Sequence, residues 1–182
     1  MPMLEQDFKS KYAPTWAIKG NPREAIAFHE LKALFGLSDS DIVLTGKGAL
    51  SDQYIDDPLE SPPDFYVPKL DRFFEVTGSD RTMAYSARRI MADRSITPQL
   101  PPIPHIFIRR GKVDAFREQG IARKVLFVHV AEAEGDIRFI PLSELFKRAE
   151  LVEGYEVGGY DQYYALPWVP AKKPYQLREA YA

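Results

Sequence analysis

Asp64 and Glu75 are the residues of this 182-residue chain whose types and spacing best suit chemistry. They lie in Asp64-Phe65-Tyr66-Val67 and Arg72-Phe73-Phe74-Glu75-Val76-Thr77, joined by Pro68-Lys69-Leu70-Asp71. Both segments read as strands and the junction as their connection. Strand side chains alternate between faces, so Asp64 and Tyr66 share one face, as do Phe73, Glu75 and Thr77. In a hairpin the two acids meet on one side, while Phe65, Val67, Phe74 and Val76 pack on the other. Two carboxylates held together repel unless something neutralises them. A hard divalent cation such as Mg²⁺ (or Mn²⁺), which prefers oxygen ligands, does so. The same spacing also fits a surface hairpin with one acid per strand, and spacing alone does not choose.

Glu24 adds a third acid. A helix is expected from Pro22, after the N-cap Asn21, to a stop at Gly36. Phe28, Leu31 and Phe35 recur on it at helical spacing. Glu24 falls on that apolar stripe, where an acid is costly without a partner. It equally suits a first-turn acid favoured by the helix dipole.

Other chemistries fit less well. Gly46-Lys47-Gly48 lacks the spacing and the Lys-Ser/Thr ending of a phosphate loop. His29, His105 and His129 have no ligand spacing, and no nucleophile-elbow pattern supports a serine triad. Cysteine is absent, which excludes a disulfide scaffold, a thiolate zinc site and a catalytic thiol. No apolar run approaches the length of a membrane span, and the N-terminus lacks a signal-peptide core. These features lead us to expect a cytoplasmic protein of a bacterial host or phage-infected cell, with no membrane partner.

The elements that would position these acids follow in order. Asp41–Thr45 reads as a short strand ahead of the two acid-bearing strands. Thr82–Ala92 reads as an Arg-rich helix. His105–Arg109 is a strand, Lys112–Gln119 a short helix, and Lys124–Val130 a strand apolar enough to be buried on both faces. Gly135-Asp136 turns into a returning strand to Ile140, and Pro141-Leu142-Ser143 opens a last helix to Ala149. With 45% hydrophobic and 13% aromatic residues, residues 1–182 form one domain able to bury a core. The expected class is α/β, a central mixed sheet flanked by helices. Its core spans about 22–150, with the Tyr- and Gly-rich tail 151–182 packed on it as irregular or edge-strand chain.

The net charge of -2 hides a division. Ser51–Val76 carries seven acids against two bases, and Arg81–Lys124 carries ten bases against three acids. A near-neutral total therefore leaves room for a local attraction to nucleic acid.

The acid on a first helix, the Pro63-Asp64 strand, the Glu75-Val76-Thr77 strand, a basic helix and a buried strand resemble the PD-(D/E)XK nuclease superfamily. The resemblance covers about Pro22 to Val130. It implies a restriction-endonuclease-like αβββαβ core and Mg²⁺-dependent hydrolysis of DNA. Asp64, Glu75 and the Val76 carbonyl would be metal ligands, with Glu24 as the helix-one acid. The family's lysine should stand where this chain has Thr77, which can hydrogen-bond a water but carries no charge. Lys69, Arg81 and Arg88 compete as the displaced cation, and Arg88 is preferred because Lys69 has the wrong strand parity relative to Asp64. The basic block gains a role in meeting phosphates, through Arg88, Arg89, Arg109, Arg110 and Lys112, with Lys69 and Arg81 beside them. Tyr66, Tyr160 or Trp168 could stack on bases, though packing is the commoner use of such residues. A homodimer is compatible with this. The competing reading, favoured by Thr77, is a catalytically inactive nuclease-like fold or a phage assembly protein that binds nucleic acid or a protein partner.

Overall fold

Proline's fixed φ starts helix α1, Pro22–Phe35, at its first position. Gly36 ends it with a left-handed φ of +60°. That turn lets the Leu37 N–H close on the Lys32 carbonyl at 3.0 Å, a Schellman-type stop. The helix belongs to a computed structural model that describes residues 22–46, 50, 62–79, 105–131, 135–156, 159–167 and 176. Ala25, Ile26, Ala27 and Leu31 form its buried stripe, with Glu30 buried among them.

Strands β1 (Val43–Leu44), β2 (Phe65–Val67), β3 (Arg72–Ser79), β5 (Val125–Ala131) and β6 (Asp136–Pro141) build the central sheet in the order β1-β2-β3-β5-β6. The β3–β5 pair is parallel and the others antiparallel, so the sheet is mixed. A parallel pair needs a crossover, and its last part is helix α2, Arg110–Glu118. Among the described residues α1, β1, β2 and β3 stand in the expected αβββ order, and α2 and β5 follow later in the chain. Strand β4 (His105–Arg109) precedes α2, and helix α3 (Leu142–Arg148) follows β6.

Alternation sorts side chains onto the two faces of the sheet. Phe65, Val67, Phe74, Leu126, Val128 and Val130 pack with α1, with Phe28 edge-on to Phe65 at 5.7 Å. Val125, Phe127, Ala131 and Ile140 pack on the other face with Val113 and Phe116 of α2 and Leu142 and Leu145 of α3. Strand β5, covered on both sides, is buried at all its positions, as its apolar run suggested.

Two elements differ from expectation. The strand expected over Asp41–Thr45 is only Val43–Leu44, because Asp39–Asp41 coils into a 3₁₀ turn. The Ser38 N–H and hydroxyl both donate to Asp41 Oδ2 at 2.8 Å and fix that turn. In the tail, expected as irregular or edge-strand chain, the described residues include two strands. Residues Glu150–Glu156 (β7) and Gly159–Pro167 (β8) pair antiparallel, and β8 also pairs with β4. They form a second sheet, β4-β8-β7, whose Ile106, Ile108 and Leu166 join the core on the α2 side. The helix expected over Thr82–Ala92 lies outside the described residues. No helix among the described residues is long and apolar enough to cross a membrane.

Candidate active site

The β2–β3 register pairs Phe65 with Phe74, and one further step sets Asp64 opposite Glu75. Asp64 is held on several sides. Its carbonyl accepts the N–H groups of Thr45 at 2.9 Å and Gly46 at 3.2 Å. The Thr45 hydroxyl donates to the Pro63 carbonyl at 2.5 Å. The absence of a side chain at Gly46 permits this approach, since a Cβ there would lie 2.9 Å from Asp64 Cα. Asp64 Oδ2 accepts the Val76 N–H at 2.7 Å. A strand residue turns its N–H and carbonyl toward the same neighbour, so the Val76 carbonyl also leaves on the Asp64 side.

Glu75 is buried on the sheet face that carries α2. An acid there needs compensation, and Lys112, from the first turn of α2, places Nζ 2.5 Å from Glu75 Oε1. Lys112 thus brings a cation to Glu75. Its side chain is 19% exposed and that of Glu75 6%, so water screens their attraction only weakly.

Glu24 stands in the first turn of α1. Its Oε2 accepts the Leu50 N–H at 2.6 Å, which ties α1 to a backbone turn of positive φ at Leu50. Thr77 follows on β3, in register with His129, which in turn faces Arg138 on β6. These residues form a polar row across three strands, two positions beyond Glu75. His129 and Arg138 are buried, and Arg138 donates to Asp136 Oδ2 through Nε at 3.0 Å. Burial, reinforced by the charge of Arg23, lowers the His129 imidazole to about 3, so it is neutral in ordinary buffers.

Other expected cations among the described residues have their own contacts. Lys69 pairs with Asp41 at 2.9 Å, and with Ser38 it holds that carboxyl at about 2. Arg110 pairs with Asp114 at 3.1 Å and donates to Gln162 Oε1 of β8 at 2.6 Å. Arg109 is exposed at the end of β4. Arg81, Arg88 and Arg89 lie outside the described residues, as do Trp168 and the side chain of Tyr160. The Tyr66 ring packs on Phe73 at 4.5 Å and its hydroxyl donates to Asp71 at 3.0 Å. Asp71 also meets Lys124 at 2.7 Å, and both contacts hold its carboxyl below the usual range.

Sequence reasoning placed Lys112 among phosphate contacts, not on Glu75. A signal was present: Lys112 precedes the buried Phe116 by one helical turn, an inward position like that of Glu24 on α1. Buried Glu30 and the Asp136–Arg138 pair also went unremarked.

The expected ligands Asp64, Glu75 and the Val76 carbonyl would offer oxygen donors only. Among the described residues no three His, Asp or Glu side chains converge as a metal cage. Mg²⁺ does not require one, since it keeps several waters and is commonly held by one or two carboxylates together with substrate phosphate.

No family model matches the chain, and no curated protein matches it. Among solved structures it is similar to a nuclease from a fusselovirus, at 19% identity. The likeness covers 89% of this chain and 90% of that one, with a TM-score of 0.45. That overlap falls short of establishing a shared fold.

Proposed function

We propose that the chain is a Mg²⁺-dependent phosphodiesterase of the PD-(D/E)XK type that hydrolyses DNA. The observation that carries this reading is the acid pair on facing strands, Asp64 and Glu75, completed by Lys112 at 2.5 Å from Glu75. Asp64, Glu75 and the Val76 carbonyl would hold the cation, which supplies Lewis acidity to the phosphate and a more acidic water. Asp64 is oriented by the Val76 N–H and clamped from behind by Thr45 and Gly46. Lys112 takes the place of the lysine missing at Thr77. It offsets negative charge at the phosphate from helix α2 instead of from strand β3. Water adds at phosphorus, the P–O bond breaks, and the departing oxygen takes up a proton.

The direct test is cleavage of plasmid and branched DNA with Mg²⁺ or Mn²⁺. Wild type should cut, Glu75→Ala should lose the activity, and Lys112→Ala should fall by about 10²–10³-fold, the usual loss of one transition-state contact. Equal activity in wild type and Glu75→Ala overturns the assignment. A second reading, a nuclease-like fold kept for binding, draws on Thr77. It predicts DNA binding without divalent-ion binding, which titration with Mn²⁺ separates.

A further inference from the structure

We propose that Lys112 is a gate on Glu75. Its ammonium is the carboxylate's resident counter-ion, and a divalent cation gains Glu75 only as a nucleic-acid phosphate draws Lys112 away. Cation and DNA then enter the site cooperatively. This rests on the metal-dependent reading above and adds to it a regulation by substrate.

Three observations support the gate. The first is the contact itself: Lys112 Nζ lies 2.5 Å from Oε1 of a buried Glu75, on the carboxylate that the cation would share. Two cations at one carboxylate repel, so the lysine lowers the affinity of the site for metal. The second is its position. Lys112 stands in the first turn of α2, where the helix dipole disfavours positive charge. The lysine is therefore held by Glu75 against the local field, and a phosphate at that helix end would be favoured by the same field. The third is the mounting. Arg110 fixes the start of α2 to β8 through Gln162 at 2.6 Å, and to Asp114 at 3.1 Å. The helix start is anchored while the four-carbon lysine stem can swing, so the ammonium can pass from Glu75 to a phosphate without moving the helix. Coupling of this kind is reciprocal: whatever factor DNA adds to metal affinity, metal adds to DNA affinity.

Mn²⁺ binding to the full-length chain, followed by electron paramagnetic resonance, tests the gate with and without a phosphorothioate duplex that resists cleavage. Wild type should bind Mn²⁺ weakly alone and at least about 5-fold more tightly with the duplex, the lower end of usual coupling. Lys112→Met and Lys112→Gln should bind Mn²⁺ more tightly than wild type without DNA, and the duplex should add little. The glutamine variant preserves a hydrogen bond to Glu75 if the methionine variant fails to fold. Wild type that gains nothing from the duplex overturns the gate with no variant needed. So do variants that bind Mn²⁺ no better than wild type. If neither wild type nor variants bind Mn²⁺ under any condition, the metal-dependent reading itself fails and the gate falls with it, an outcome distinct from binding without coupling.

Discussion

A charge placed in an apolar face is stable only with a partner, and the cost of separating partners measures how buried they are. For Glu75 and Lys112 that cost is testable apart from any activity. Lys112→Met should lower the unfolding free energy by about 2–3 kcal/mol, below the full buried-pair loss because Lys112 keeps some solvent. A double variant, Glu75→Leu with Lys112→Met, should recover most of it, since an apolar pair replaces an ionic one at little net cost. Denaturant titration of the three proteins decides this, and a double variant no more stable than Lys112→Met would sink it. His129 gives a second residue-scale expectation. Its imidazole is held at about 3 in the fold but titrates near 6.5 when unfolded. Between these values the unfolded chain binds a proton that the native one refuses. Stability is therefore full above about pH 6.5 and falls as pH drops, by up to about 1.4 kcal/mol per unit. His129→Phe should flatten the stability profile between about pH 6.5 and 4.5. An unchanged slope in the variant would remove His129 as the cause.

The elements show which parts of this arrangement were legible in the sequence. The two acid-bearing strands could be read because period two and a four-residue connection together fix which side chains share a face. Strand β4 occupies His105–Arg109 as expected, since its apolar run lies between a proline cluster and a charged helix. For β7 and β8 the sequence suggests no more than irregular or edge-strand chain. Their many glycines and tyrosines look like irregular chain in the sequence. The Lys112–Glu75 contact spans 37 positions and depends on a crossover that no local pattern encodes. The second sheet matters to the site because α2 is fastened to it. Gln162→Ala removes the acceptor of the Arg110 bond at 2.6 Å and should cost about 1 kcal/mol. Hydrogen exchange should speed at the first turn of α2 and leave β3 unchanged. Uniform acceleration across the chain would indicate general destabilisation instead of a loosened helix start.

Over the whole molecule, the acidic and basic blocks of the sequence do not remain separate lobes. Acids of the first block find bases of the second: Glu75 meets Lys112 and Asp71 meets Lys124. Arg110 and Arg117 are shared by Asp114 within α2, and Arg117 also lies over the Phe146 ring at 3.8 Å. Among the described residues, Arg110, Lys112, Arg117 and Lys124 of the basic block thus pair with carboxylates. Each phosphate contact releases counter-ions, with a slope near -0.9 in log affinity against log salt. DNA binding should therefore weaken with salt, with a slope set by how many bases of the block reach phosphate. Arg109, exposed at the end of β4 one residue before α2, stands beside the helix that carries Lys112. Arg109→Gln should make the slope shallower by about 1 while weakening binding equally across sequences. Fluorescence anisotropy of a labelled duplex over a salt series reads both quantities. A slope near zero would mean that the basic block makes no phosphate contacts. A slope unchanged in Arg109→Gln would place the phosphates elsewhere on the molecule, away from the α2 end of the acid pair.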